Sequence, residues 1–254
     1  MPARGARPGS GRHFLSPQVA AELVRVAGVG PEDLVLEIGA GEGALTRELA
    51  AAARHLIAVE VDPLLVSRLQ RRFARDAVVE VVEANVLQMT LPHASFRAVG
   101  NIPFRITTPL FHQLLDDPIS ALVRADLVVQ REVARKRAAV PPRNMLTLSW
   151  SPWWRFAITR PLPAAVFHPR PAVDASLLTV TRREPALLPA ERRRHFVTLL
   201  ERAFRRAGEP LRGALREVAS SNETRHLMRR LSIPMSARPV DLTTEQWVEV
   251  FLRL

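Results

Sequence analysis

Within four residues, Asn101-Ile102-Pro103-Phe104 offers a side-chain carbonyl, a backbone carbonyl, a rigid turn and an aromatic face. An exocyclic amine conjugated with its ring is a poor nucleophile because its lone pair is delocalised. Two carbonyls that accept its two hydrogens push the nitrogen toward tetrahedral character, and Asn101 Oδ1 and the Ile102 carbonyl can serve. Pro103 fixes φ at about −65°. Phe104 supplies a face for a base that has left its helical stack. Attack on an electrophilic methyl group then needs no strong general base, since the proton departs after the transfer. Asn in a turn, Pro as a stiffener and Phe in a core are each commoner than catalysis, but the combination is specific. Phe167, which precedes the proline-rich stretch His168 to Ser176, is a candidate second stacking face, with a core role as the alternative.

A second cluster suits a nucleotide-like ligand. Glu37-Ile38-Gly39-Ala40-Gly41-Glu42-Gly43 falls between a strand pattern and a helix pattern, where glycines let the backbone turn tightly and approach a ligand. The spacing is Gly-x-Gly-x-Gly, which disfavours the dinucleotide reading. Glu60 ends the next apolar run, 21 residues beyond Gly39, where a carboxylate can accept both ribose hydroxyls. Asn85, at the end of the third run, is a candidate reader of an adenine ring.

These residues need a scaffold, and the chain alternates in the required way. Helical spacing over Pro17–Val26, Ala44–Ala53, Pro63–Phe73 and Thr108–Leu115 is interleaved with strand patterns at Asp33–Ile38, His55–Val61, Ala77–Val82, Ala98–Asn101 and Ala125–Val129. A further helix is expected around Arg131 to Ala139. Such alternation implies right-handed crossovers and a mostly parallel, doubly wound α/β sheet. Leu146–Trp150, Arg155–Ile158 and Ser176–Thr181 read as the last strands, partly antiparallel. Beyond Arg183, Pro185 and Pro189 mark a linker. Arg192–Ala207, Pro210–Val218, Glu223–Leu231 and Thr244–Leu252 read as helices of a small C-terminal domain.

The net charge is +11, and Lys136 is the only lysine, so the positive balance is arginine, whose planar fork suits phosphates and base edges. Arg131, Arg135, Lys136 and Arg137 crowd one segment, while Arg192, Arg193, Arg194, Arg202, Arg205 and Arg206 decorate the C-terminal helices. These are candidate RNA contacts, a solvated helix face being the alternative for any one of them. The absence of cysteine excludes disulfides, thiolate nucleophiles and cysteine-ligated metal; no metal site is expected. Residues 1–12, rich in Arg, Gly and Pro, read as a flexible basic arm. No run of about 18 apolar residues occurs, so a cytoplasmic protein without a membrane partner is expected.

With these motifs assembled, the chain resembles the ribosomal RNA adenine dimethyltransferases, and more narrowly the Erm-type 23S rRNA methyltransferases of macrolide, lincosamide and streptogramin B resistance. The resemblance rests on His13-Phe14-Leu15, Glu37 to Gly43, Glu60, Asn85 to Gln88, Asn101 to Phe104 with Ile106-Thr107-Thr108-Pro109, Gln130-Arg131-Glu132 and Phe167 to Ser176. It implies a Rossmann-like class I methyltransferase domain over residues 13–183 with a seven-stranded sheet, and an all-helical RNA-binding domain over 184–254. It also implies a monomer and S-adenosyl-L-methionine as cofactor, held by His13, Leu15, Gly39, Ala40, Gly41, Glu60, Val61, Asn85, Val86 and Asn101. The reaction implied is transfer of one or two methyls to N6 of one adenine in the peptidyl-transferase region.

The chain departs from the family pattern at three places. The first motif usually reads Gln-Asn-Phe-Leu and here reads Arg12-His13-Phe14-Leu15. Asn85 stands where Asp is usual, which alters cofactor affinity while still offering Oδ1 as an acceptor. Phe104 replaces the commoner Tyr and keeps the π face. Three other readings share parts of the pattern. A small-subunit dimethyltransferase typically carries Asn-Leu-Pro-Tyr at the fourth motif. A DNA adenine methyltransferase usually needs more than the roughly 70 residues that follow Arg183 for target recognition. A degenerate methyltransferase fold that only binds RNA is the third.

Overall fold

The computed structural model describes residues 13–254, and the expected basic arm lies outside them. In chain order the first elements are β1 (Phe14–Leu15), α1 (Pro17–Ala27), β2 (Leu34–Ile38), α2 (Ala44–Ala50), β3 (His55–Glu60), α3 (Pro63–Arg72), β4 (Val79–Glu83) and β5 (Phe96–Asn101). There follow α4 (Thr107–Leu115), β6 (Leu122–Gln130), α5 (Arg131–Arg137), α6 (Met145–Trp150), β7 (Trp154–Leu162), β8 (Phe167–His168) and β9 (Ala175–Arg182). Helices α7 (Arg193–Phe204), α8 (Leu211–Ala214), α9 (Ser221–Arg230) and α10 (Thr244–Arg253) complete the chain.

Two compact units result: among the described residues one takes in 13–114, 120–134 and 157–180, the other 115–119, 135–156 and 181–254. The second unit therefore gathers two earlier segments to the C-terminal helices. Strands are ordered β4-β3-β2-β5-β6-β9-β7 in one seven-stranded sheet, and β2, β3, β4, β5 and β6 pair in parallel. The central strands are apolar on both faces because helices cover both sides, as parallel sheets require. Val35, Leu36, Leu56, Ala58, Ala98, Leu127 and Val129 are all buried.

Local chemistry sets the element ends. Ser16 caps α1, its hydroxyl accepting from the Val19 amide, with Pro17 in the first turn and Gly28 left-handed at the C-terminus. Asp62 caps α3 through the Leu64 amide. Gly100, in β5, approaches β2 so closely that a Cβ there would stand 2.6 Å from the Ile38 carbonyl oxygen and 3.2 Å from Ile102 Cγ2. Gly100→Ala is therefore expected to cost about 1–3 kcal/mol by overpacking and to displace Asn101 next to it. Thermal unfolding and methyl-transfer assays on the same preparation check both effects.

Besides the helix expected over Pro210–Val218, which is confined to α8 and followed by turns, two features differ from the sequence reading. Leu146–Trp150 is not a strand: Asn144 caps α6 there, its Oδ1 accepting from the Thr147 amide, and Thr147, Leu148, Ser149 and Trp150 are all buried. A helix buried all round has no polar face, so its Leu-x-Leu-x-Trp spacing imitates strand alternation. The second feature is a two-stranded ribbon in which β1 pairs antiparallel with β8, Phe14 opposite His168 and Leu15 opposite Phe167.

In the second unit, aromatic edges hold the helices together. Phe196 meets Phe251 at 5.4 Å and Trp153 at 6.4 Å, both T-shaped. Trp247, fully buried, donates its indole N–H to the Pro239 carbonyl. Capping boxes start α9 at Ser220 with Glu223 and α10 at Thr243 with Gln246.

Candidate functional site

The carboxyl ends of β2, β3 and β5 meet at a pocket walled by His13, Phe14, Leu15, Glu37, the glycine loop, Glu60 and Asn101 to Phe104. This is where open parallel sheets place their ligand sites. Gly41 adopts φ +58°, a left-handed conformation that an L side chain rarely adopts, and a Cβ on it would press to 3.2 Å from the Phe14 ring. Its amide donates to Glu60 Oε2 at 3.0 Å, while the Val61 and Asp62 amides both donate to Glu60 Oε1 at 2.9 Å. Three backbone donors thus fix a carboxylate that is only 6% exposed.

Glu37 is different. It is buried at the end of an apolar strand, and neither carboxyl oxygen makes a well-formed hydrogen bond, although the Thr46 hydroxyl and amide lie close by. Burial pushes its carboxyl up to about 8; the nearby Thr46 hydroxyl and amide oppose that shift, and the Glu60 charge adds to it. A buried carboxyl on the wall of a pocket, neutral while it holds its proton, becomes a carboxylate when a cation arrives to pair with it. The site therefore fits a cationic ligand whose ribose Glu60 can receive, such as a sulfonium nucleoside. Sequence reasoning placed Glu37 in the motif but gave it no role; the signal was an acid inside Leu-Val-Leu-Glu-Ile, where burial is assured.

Asn101 is oriented by its neighbours. Its Nδ2 donates to the His13 carbonyl at 2.6 Å, which leaves Oδ1 as the free end of the amide. The His13 ring is anchored in turn: Nδ1 lies 2.7 Å from the Pro169 carbonyl and must carry the proton, because a carbonyl only accepts. The His13 and Phe104 rings sit 6.1 Å apart, tilted by 36°. Two bonds hold the turn after Pro103: the Ile106 amide to the Pro103 carbonyl, and the Thr107 hydroxyl to the Phe104 carbonyl at 2.9 Å. The β1–β8 ribbon and the β5 turn thus present Asn101 and Phe104 beside the glycine loop.

Of the expected cofactor residues, His13, Leu15, Gly39, Ala40, Gly41, Glu60 and Asn101 line this pocket, whereas Val61, Asn85 and Val86 are not among its walls. Val61 is 58% exposed. Asn85 caps a short 3₁₀ turn over Val86–Gln88, Oδ1 accepting from the Leu87 amide at 3.1 Å. Phe167 is 5% exposed and packs in the core with Leu15, Val99 and Leu177 rather than on the pocket wall.

The expected RNA contacts divide by their partners. Arg131 pairs with Asp174 at 2.9 Å, Arg193 with Asp116 at 2.6 Å, and Arg206 with Glu209 at 3.1 Å. Arg137 donates to Asn144 Oδ1 and Thr147 Oγ1 and lies over the Trp150 ring at 5.5 Å. Arg192 stacks on Phe251 while remaining exposed. Arg135, Lys136 and Arg205 are exposed. Arg137→Ala is expected to lower stability by about 1–3 kcal/mol, since the buried Thr147 hydroxyl loses its donor and the Trp150 ring loses the guanidinium that covers it. Arg135→Ala should leave the melting temperature unchanged and weaken RNA binding. Paired melting and RNA-binding measurements distinguish the two.

The comparisons agree with this geometry. The family model described as ribosomal RNA adenine dimethylase matches residues 5–254. Mycinamicin-resistance protein MyrB of Micromonospora griseorubida is 35% identical over 251 residues, covering 98% of this chain and 79% of that protein. Ribosomal RNA small subunit methyltransferase A of Prochlorococcus marinus (strain MIT 9313) is 35% identical over 267 residues, covering 96% and 92%. The crystal structure of the 23S rRNA methyltransferase ErmE superposes with a TM-score of 0.85 at 30% identity, covering 95% of this chain and 99% of that one. The Rossmann-like sheet, the acidic glycine-loop pocket and a match across nearly the whole chain lead to one assignment: this chain is a methyltransferase that belongs to the ribosomal RNA adenine dimethylase family.

Proposed function

We propose that the chain transfers one or two methyl groups from S-adenosyl-L-methionine to N6 of a single adenine in 23S rRNA, an Erm-type modification that confers resistance to macrolides, lincosamides and streptogramin B. The observation that carries the chemistry is the Asn101 amide, whose Nδ2 is occupied by the His13 carbonyl so that Oδ1 faces the reaction as an acceptor. Asn101 Oδ1 and the Ile102 carbonyl accept the two N6 hydrogens and localise the nitrogen lone pair. Phe104 stacks the extruded adenine. Glu60 receives the ribose hydroxyls, and Glu37 balances the ligand's positive charge. When bound, S-adenosyl-L-methionine supplies an electrophilic methyl group on a sulfonium. The amine proton leaves after transfer, so no side chain is needed as a strong base.

Large-subunit specificity is supported by Phe104 followed by Ile106-Thr107-Thr108, and by the likeness to MyrB and ErmE. Loss of N6 hydrogens and added bulk at the methylated adenine would weaken drug binding. Residues 184–254 serve as the RNA-binding part, with Arg135, Lys136, Arg192 and Arg205 as phosphate contacts. The likeness to small-subunit methyltransferase A favours 16S rRNA as the second reading. Labelled methyl transfer to deproteinised 23S and 16S rRNA in parallel, with the nucleotide mapped by primer extension, decides between them. Label at one 23S adenine supports the proposal, and label confined to 16S refutes it.

A further inference from the structure

The second unit contains a cavity of about 280 Å³ lined by Arg137, Val140, Pro142, Trp154, Arg155, Phe156, Arg183 and Glu245, among others. Three arginines and one carboxylate line it, the Arg137 guanidinium being already engaged with Asn144, Thr147 and the Trp150 ring. Glu245 is itself 61% exposed and lies 3.5 Å from Arg183, a distance at which it gives only partial neutralisation. Arg155 is exposed and has no hydrogen-bond or ion-pair partner among the described residues, and its charge opposes that of Arg183. Arg183 is held in place, 13% exposed, by donation to the Ser151 carbonyl at 2.8 Å. A solvated arginine face would keep such groups apart and mobile. Here one guanidinium is fixed, a second repels it, and both border a concavity.

The other walls mix apolar side chains with Ser151, Thr243 and Thr244. Phe156 is half-buried beside Trp150, with ring centroids 6.3 Å apart, and Val140 is 88% exposed on the rim. Cationic groups beside an aromatic face form the recognition set for a nucleotide: guanidiniums for the phosphate and a ring for the base. The cavity has room for one such unit and none for a duplex. Sequence-specific recognition of RNA commonly takes single unstacked nucleotides from loops and bulges.

We propose that this cavity is a second nucleotide pocket, which takes one unstacked nucleotide of the RNA substrate, its phosphate between Arg155 and Arg183 and its base against Phe156. The proposal rests on rRNA being the substrate. The pocket would read a nucleotide other than the methylated adenine and so fix the RNA's register.

The test uses the full chain with its cofactor pocket saturated by S-adenosyl-L-methionine, and two probes. AMP, titrated while tryptophan fluorescence is followed, should give a saturable change. Arg155→Glu should abolish it, Arg155→Lys should retain it in part, and Arg229→Glu, an equal change of charge at an exposed position elsewhere, should leave it intact. The affinity of the 23S rRNA fragment should fall about tenfold in Arg155→Glu, the loss falling on KM for RNA, with cofactor affinity and melting temperature as in the wild type. Wild-type affinity for both probes in Arg155→Glu overturns the proposal. Loss of AMP binding with unaltered rRNA affinity overturns RNA as the occupant. An AMP response in an enzyme that neither binds nor methylates any rRNA overturns the function proposed above, and with it RNA as the occupant.

Discussion

Asn101→Ala should reduce methyl transfer by at least about 10²-fold while the affinity for S-adenosyl-L-methionine changes by less than threefold. The magnitude follows from removing one preorganised polar group at a reacting centre. The split follows from geometry: Asn101 touches the pocket through one wall, whereas in the proposed reading Glu60, Glu37 and the glycine loop hold the cofactor. Asn101→Asp is the sharper variant, because it keeps an acceptor but loses the Nδ2 donor that binds the His13 carbonyl at 2.6 Å. It should fail nearly as badly, for a carboxylate facing a carbonyl is repelled and turns away. Single-turnover rates with equilibrium binding of the cofactor check both variants. Equal loss of binding and rate in Asn101→Ala would remove the residue from the target amine.

Glu37→Gln should have the second largest effect, and its signature is pH dependence. Burial raises the Glu37 carboxyl to about 8, so in the free enzyme at neutral pH it holds its proton. A cation entering the pocket favours the carboxylate and expels that proton. Wild-type affinity for S-adenosyl-L-methionine should therefore rise with pH and level off above about 8. The variant should bind about ten- to a hundredfold more weakly at pH 8.5, with a flat profile. S-adenosylhomocysteine, which lacks the sulfonium charge, should discriminate less between the two proteins.

The free enzyme gives an independent check with a definite sign. A carboxyl whose folded pKa is raised binds more protons folded than unfolded, so its contribution to stability is intact below the ordinary carboxylate range near 4.5. It is lost as pH climbs toward about 8. Relative to the wild type, Glu37→Gln should gain stability across that window, by up to a few kcal/mol. Coincident melting curves at pH 5 and pH 9 would show that Glu37 is not the buried acid described.

The doubly wound sheet was legible because its signals are redundant. β2 and β3 are short apolar runs ending in functional residues, and α1 and α3 begin at Ser16-Pro17 and Asp62-Pro63, where cap and proline agree. Glu60 and Asn101 were legible for the same reason, each sitting at the end of a strand before a turn. α6 was misread because periodicity carries no information once every side is buried. The β1–β8 ribbon was invisible because two residues have no period, and their pairing is decided by tertiary contacts. The acceptor that orients Asn101 is a backbone carbonyl, which no side-chain pattern announces.

The bond between the His13 ring and the Pro169 carbonyl joins residues 156 positions apart. A chain emerging from the ribosome has made its glycine loop and its Asn101 turn long before Pro169 is available, so the segment carrying His13 cannot yet be pinned. Closing so long a loop is slow compared with local helix and strand formation. The Asn101 amide, which in the proposed reaction prepares the adenine, is thus among the last parts of the site to be aligned. A nascent chain bound to S-adenosyl-L-methionine would still be silent toward the RNA of the machine that is making it.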